Sequence, residues 1–242
     1  MIEVQDFCKT FSSHSKNPFS VQNVSFTVNK GDICALVGPN GSGKSTVMKA
    51  ICGFHYPSKG KIYIDSGFED QQNRIDITEE PHTAMELCGY VPEILQLPPD
   101  MKVIDFLNYA AKAHNLPAEK TKLRIEQLVK DFFMSEYLDK NIKILSKGQQ
   151  QRVSFAQALI HNPPNLILDE PVTGLDPAQI IKLRNYIKDL SKNKAILVST
   201  HILSEVTSLC NKAFIMYRGK IFAVQNIENI EWEFLQITEE KK

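Results

Sequence analysis

From Val24 to Val28 apolar and polar positions alternate, and the polar turn Asn29-Lys30-Gly31-Asp32 then leads into an unbroken apolar run, Ile33 to Val37. Alternation marks a strand with one buried face, whereas a continuous run bounded by turn residues marks a strand buried on both. Lys61-Ile62-Tyr63-Ile64-Asp65, between Gly60 and Ser66-Gly67, predicts another short strand. Residues 1–30 and 60–90 therefore read as β-rich segments that pair as an antiparallel sheet. After Pro98-Pro99-Asp100 the period becomes helical. Val103, Phe106, Leu107, Ala110 and Ala111 share one face, with Asp100 as the expected cap, and Ile125, Leu128, Val129, Phe132 and Phe133 repeat the spacing. These predict a helical insertion over residues 98–160. Strand-like runs return at Leu166 to Leu168, Ala195 to Ser199 and Ala213 to Met216, with an amphipathic helix from Pro177 to Leu190 between the first two. Such alternation predicts an α/β fold whose sheet is mostly parallel and covered by helices. The tail from Ile227 fits two readings. Ile227, Ile230, Phe234 and Ile237 suit one helix face, Trp232 and Phe234 suit a strand, and Glu239-Glu240-Lys241-Lys242 read as solvated and frayed.

Directly after the run Ile33 to Val37 stands Gly38-Pro39-Asn40-Gly41-Ser42-Gly43-Lys44-Ser45-Thr46, with the spacing G-x-x-x-x-G-K-[ST] of a nucleotide-binding phosphate loop. Its glycines let successive backbone N–H groups curl around phosphate oxygens with no Cβ in the way. Lys44 brings a point charge to the β- and γ-phosphates, and the Ser45 hydroxyl an oxygen for Mg²⁺. A helix expected from Thr46 to Ile51 aims its positive end at the same anion. The order strand, loop, helix outweighs a chance Gly/Ser match.

Composition changes this picture little. The 242 residues allow one large or two small domains, and 43 % hydrophobic with 23 % charged residues is an ordinary globular profile. Lys+Arg and Asp+Glu both number 28, so no net field attracts nucleic acid, and none is expected as a partner. Cys8, Cys34, Cys52, Cys88 and Cys210 are widely spaced and lack metal-ligand spacing, which suits free thiols in a reducing cytosol. Met1-Ile2-Glu3-Val4 lacks a basic region followed by a long apolar run, so no secretory signal is expected, and no apolar run reaches the ~18 residues of a membrane span. Any membrane role is expected to come through a partner.

Asn165-Leu166-Ile167-Leu168-Asp169-Glu170 is a buried strand that ends in two acids. Alone it could equally be a strand entering a surface turn. Behind a phosphate loop it reads as the carboxylate strand of a triphosphatase: Asp169 holds Mg²⁺ at the carboxyl end of the strand, and Glu170 polarises the attacking water. Successive strand residues face opposite sides, which suits that division. Leu145-Ser146-Lys147-Gly148-Gln149-Gln150-Gln151-Arg152 begins with a good cap, Ser146, for a helix through Val153 and Ala156 to His161. The Ser146 hydroxyl, the Gly148 backbone and the helix dipole make a second anion-binding turn.

In that order these segments resemble the Walker A, signature and Walker B motifs of ATP-binding cassette (ABC) ATPases, with Lys147 where the signature L-S-G-G-Q usually has its first glycine. The resemblance runs from residue 2 to about 225. It implies a P-loop core, an N-terminal antiparallel β subdomain and an inserted α-helical subdomain, with residues 226–242 as a short tail. Gly174-Leu175-Asp176-Pro177 resembles the D-loop, and Ser199-Thr200-His201 the switch, which makes His201 a γ-phosphate sensor that helps orient Glu170 and water. Phe11 takes the place of the aromatic that stacks on adenine, with Phe19 the alternative. Glu93, in Gly89-Tyr90-Val91-Pro92-Glu93, stands where the family usually has a metal-binding glutamine. Glu93 with Lys147 is similar to bacterial drug- and peptide-antibiotic exporter cassettes. The family further implies a head-to-tail homodimer or heterodimer of ATPase subunits, with Ser146, Gly148 and Gln149 of one chain over the ATP held by the other. It also implies a cytoplasmic subunit, peripheral on the membrane through a transmembrane permease. The importer motor and the soluble ABC ATPase acting on another macromolecule are the competing readings.

Overall fold

In the computed structural model of the chain, residues 1–11, 20–65 and 74–239 are described. Phe19, the alternative adenine aromatic, lies outside them, as do Ser66-Gly67 and the last three residues. Strands β1 (Ile2–Thr10) and β2 (Ser20–Val28) pair antiparallel, with the register broken by bulges near Phe7. Buried β3 (Ile33–Val37) then feeds the phosphate loop and α1 (Lys44–Ile51). β4 (Lys59–Asp65) returns to β1, and β5 (Arg74–Asp76) adds to its far side, completing a sheet in the order β2-β1-β4-β5.

The β-rich reading of residues 60–90 is only half right. Pro81–Glu86 is helix α2, opened by proline at its first position, where a missing N–H costs nothing. The strand after it, β6 (Cys88–Val91), joins the other sheet. That strand has no alternation, as expected for one covered on both faces.

The helical insertion follows, with α3 (Val103–Ala113), α4 (Ala118–Asp131) and α5 (Lys147–Leu159). Asp100 does not cap α3. It pairs with Lys143 at 2.6 Å, and the cap position is Lys102, whose side chain makes no capping bond. The first helical N–H groups are satisfied by backbone instead: Val103 donates to Lys140 O and Ile104 to Leu138 O. With those donors already satisfied, a side-chain cap is redundant. Ser146, by contrast, is a full capping box. Its Oγ accepts from Gln149 N, and Gln149 Oε1 accepts from Ser146 N.

Beyond α5 the chain alternates: β7 (Asn165–Asp169), α6 (Pro177–Ser191), β8 (Ala195–Thr200), α7 (Leu203–Leu209), β9 (Lys212–Tyr217), β10 (Lys220–Ala223) and α8 (Ile230–Glu239). The second sheet has the order β10-β9-β3-β8-β7-β6 and is parallel apart from its edge strand β10. One apolar layer, including Phe7, Leu36, Met48 and Ile64, fills the space between the sheets and α1. Another, including Leu107, Leu128, Phe155 and Leu166, joins the helical insertion to the parallel sheet. The tail is helical: Ile230 is buried and Ile227, Phe234 and Ile237 pack beside it, while Trp232 is 64 % exposed. The cysteines carry no disulfide, and burial pushes the thiols of Cys34, Cys52 and Cys88 upward.

Gly89 fixes the approach of α5 to β6. A Cβ there would lie 2.3 Å from Ala158 O and 2.9 Å from Pro163 Cγ, and a backbone carbonyl cannot move aside cheaply. Gly89→Ala is expected to destabilise the chain by about 1–3 kcal/mol. Urea unfolding checks this, and an unchanged midpoint would show that α5 can shift off the strand.

Candidate functional site

Parallel strands end on one edge of a sheet, so residues far apart in sequence gather there. The register aligns Val37 with Thr200 and Asp169 with Ser199, which brings the phosphate loop, both acids and the switch segment together. Within the loop, Gly38, Ser42, Gly43 and Lys44 are buried, while Pro39, Asn40 and Gly41 form its exposed rim. Gly41 and Gly43 have φ of 78° and 112°, in the region that favours glycine. A Cβ on Gly38 would stand 2.2 Å from Met216 O and 2.9 Å from Ser42 Oγ. Ser42 Oγ is buried with no hydrogen-bond partner among the described residues. An unused donor inside a loop of glycines is what a triphosphate would satisfy.

Lys44 is 6 % exposed. Its ammonium donates to Gly38 O at 2.7 Å and Pro39 O at 3.3 Å, and lies 3.9 Å from Glu170 Oε1. Burial holds its pKa below the usual lysine range, while the charges of Glu170, Asp169 and Glu93 oppose that shift. Next along α1, the Ser45 hydroxyl reaches Asp169 Oδ1 at 3.3 Å. These two oxygens are of the type that binds Mg²⁺. Among the described residues no three His, Cys, Asp or Glu side chains converge as a metal cage, so a cation here would take the rest of its shell from water and phosphate oxygens. Glu93 is exposed in the turn after β6 and reaches the site through its charge, which acts on Lys44 and Tyr90.

Glu170 is not an alternating strand residue. β7 ends at Asp169, and Glu170 has φ of 49°, a left-handed turn unusual for a side chain of its size. The turn aims its carboxylate, 6 % exposed, between two partners: the Lys44 ammonium and His201 Nδ1, 3.0 Å from Glu170 Oε2. Ser199 holds the turn. Its hydroxyl donates to Asp169 Oδ1 at 2.5 Å and accepts from Glu170 N at 2.9 Å. Tyr90 OH adds a bond to Asp169 Oδ2 at 3.4 Å, and Thr200 Oγ1 donates to Glu205 Oε2 at 2.8 Å while accepting from Ile202 N. Ser199 and Thr200 stand in the switch motif, yet that motif points only to its histidine, and Tyr90 comes from another strand with no spacing to reveal it.

Phe11, 41 % exposed at the end of β1, meets His55 edge to face at 5.8 Å, and His55 Nε2 lies 3.0 Å from Thr46 O in α1. The aromatic is thus tied to the last residue of the phosphate loop. Ser146, Gly148 and Gln149 are elsewhere, at the start of α5. A Cβ on Gly148 would touch Gln179 Oε1 at 2.6 Å, and the Lys147 stem lies over Gly174. The first turn of α5 therefore packs on Gly174 in the loop before α6 and on Gln179 in the first turn of α6, the helix that Asp176 caps by accepting from Gln179 N.

Comparison with known proteins identifies the family and the fold. The family profile described as ABC transporter matches residues 21–173. The chain is 33 % identical over 221 residues to the uncharacterized ABC transporter ATP-binding protein YxlF of Bacillus subtilis (strain 168), spanning 91 % of this chain and 69 % of that one. It is 32 % identical over 232 residues to ABC transporter ATP-binding protein NatA of the same bacterium, spanning 95 % and 91 %. A solved ATP binding subunit of an ABC transporter superposes with a TM-score of 0.80 at 29 % identity, covering 96 % of this chain and 93 % of that one. For cbiO1 from Clostridium perfringens, part of the ABC transporter complex cbiONQ, the TM-score is 0.77 at 25 % identity, covering 98 % and 93 %.

Because one hydroxyl serves both acids, Ser199→Ala leaves Glu170 N buried without an acceptor. The expected cost is about 1–3 kcal/mol of stability. Ser199→Thr, which keeps the hydroxyl, should recover most of it in the same denaturation experiment. Equal stability of Ser199→Ala and the parent chain would remove Ser199 as the tie.

Proposed function

The chain belongs to the ABC transporter family as an ATP-binding, ATP-hydrolysing subunit, and from that premise we propose that it is the motor of an exporter. The observation that carries its chemistry is the convergence of Lys44, Ser45, Asp169, Glu170 and His201 on one sheet edge. Lys44 and the loop N–H groups bind the β- and γ-phosphates, Ser42 contributes its hydroxyl, and Phe11 stacks on adenine. Mg²⁺, held by Ser45 and Asp169, would neutralise charge building on the phosphate oxygens. Glu170 takes the proton of the attacking water, and His201 keeps the carboxylate turned toward it.

Two ATPase subunits, alike or different, close head to tail in this reading. Lys147 and Gly148 in the first turn of α5 contact Gly174 and Gln179, and exposed Ser146, with Gly148 and Gln149 beside it, would cover the triphosphate held by a second subunit. ATP then joins the two, and its hydrolysis releases them. Glu93 and the helical insertion pass the motion to a transmembrane permease on the cytoplasmic face of the membrane. No helix among the described residues is long and apolar enough to span a bilayer. Support for export over import comes from Glu93 and Lys147, which depart from the usual glutamine and glycine in the manner of exporter cassettes.

Glu170→Gln is expected to keep ATP affinity, slow hydrolysis by about 10²–10⁴-fold and accumulate a closed dimer on gel filtration. Undiminished turnover would remove Glu170 from its role. Lys44→Ala should lose nucleotide binding itself, whereas Ser146→Arg should bind ATP and fail to hydrolyse it. Mixing those two inactive variants restores one intact composite site, and with it measurable ATPase activity. A mixture that stays inactive contradicts the head-to-tail pair.

A further inference from the structure

One imidazole beside the phosphate loop takes no part in the chemistry above. His55 follows α1, half-buried, with Nε2 3.0 Å from Thr46 O. Its ring is edge to face with Phe11, centroids 5.8 Å apart and planes at 74°. Lys9 closes the group: its Nζ donates to Tyr56 O at 2.7 Å and stands 5.7 Å from the Phe11 ring centre. An aromatic plate, an imidazole and an ammonium are thus linked to the residue where the phosphate loop enters its helix.

The hydrogen bond fixes the tautomer. A carbonyl only accepts, so Nε2 carries the hydrogen that points to Thr46 O. Burial holds the His55 pKa below its ordinary value; the Thr46 bond opposes this, while Lys9 and Lys49 push the same way as burial. These influences favour the uncharged ring, and a neutral ring protonated at Nε2 bears a lone pair at Nδ1. No donor to that atom is found among the described residues. A lone-pair acceptor in an aromatic and basic cluster selects for a base with a donating edge. Adenine offers its exocyclic amino group, whereas guanine has a carbonyl oxygen at that position and would set two acceptors against each other.

The geometry points to His55 as a base-selecting residue, whose Nδ1 accepts a hydrogen bond from the adenine amino group of ATP and so disfavours GTP. This rests on the proposed role of Phe11 as the adenine plate and adds an edge-reading partner to it. Stacking alone accepts any base, because every base has a π-face.

Equilibrium titration of the full chain with ATP, GTP and tripolyphosphate tests the assignment without relying on turnover. In the parent chain ATP should bind more tightly than GTP. His55→Phe keeps a ring against Phe11 but lacks the acceptor, and should reduce the ATP preference by about 3- to 10-fold, the value of one hydrogen bond. Tripolyphosphate affinity should stay within about twofold, since it has no base. His55→Gln, whose amide retains an acceptor, should restore part of the preference. Equal weakening of all three ligands would make His55 a prop for the phosphate loop and overturn the proposal, as would an unchanged ratio. Inosine triphosphate, with a carbonyl in place of the amino group, needs no variant: the parent chain must discriminate against it as it does against GTP. Phe11→Ala tests the underlying reading separately. Undiminished ATP affinity in that variant would remove the plate, whatever His55 does.

Discussion

The Lys44 ammonium is the charge around which the phosphate loop is shaped. Taking a lysine out of water costs several kcal/mol unless hydrogen bonds and opposite charge offset it. Here two loop carbonyls, of Gly38 and Pro39, turn back to the ammonium, and Glu170 stands 3.9 Å away. Glycines permit that curl, at φ values of 78° and 112°, and Gly38 fits against Met216 O where any Cβ would collide. The lysine and the glycines are therefore one device. Carbonyls directed to the cation leave N–H groups for the anion, and Ser42 Oγ lies inside with no partner among the described residues.

Such a loop needs an edge on which to act, and the parallel sheet supplies it. Side chains from β7 and β8 meet it only because the register sets Asp169 beside Ser199 and Thr200 beside Val37. The Ser199 hydroxyl then uses both of its capacities, donating to one acid's side chain and accepting from the next residue's backbone. That double use holds Glu170 in a left-handed turn that would otherwise cost on the order of 1 kcal/mol or more. Strain of this size is kept only where the surroundings over-determine it. The outcome is a carboxylate with one oxygen toward Lys44 and the other toward His201.

Much of this could be read from residue order, for identifiable reasons. Backbone-dominated features leave fixed spacing: the phosphate loop needs its glycines, α5 its Ser146–Gln149 box, and each buried strand its apolar run. Features supplied by distant backbone leave none. Asp100 looked like a cap because the pattern cannot show that Lys140 and Leu138 carbonyls already satisfy the start of α3. Residues 81–86 were expected to be β-rich, yet proline at the first position starts a helix there. The tail fitted a helix or a strand by its local period, and the helix prevails because Ile230 finds an apolar site against β9 and α7, with Ile227, Phe234 and Ile237 beside it. Strand alternation was expected to turn Glu170 away from Asp169, but a left-handed turn after the strand aims it instead. Tyr90 and His55 come to the site by pairing and packing across the fold, beyond the reach of any motif.

The capping box at α5 shows how a stability device can double as a recognition device. Ser146 Oγ accepts from Gln149 N and so spends a lone pair, while its own O–H hydrogen stays available. In the proposed closed pair that hydrogen is donated to a phosphate oxygen without breaking the cap, and the helix keeps its start while the anion arrives. No acid stands in the first turn of α5 to compete. The same turn rests on the segment that follows Glu170, through Lys147 on Gly174 and Gly148 on Gln179. In the proposed pair, a subunit that closes over its neighbour's triphosphate with Ser146 therefore loads the loop that follows its own Glu170. In that proposed pair the two sites are joined by packing within each chain as well as by ATP between chains.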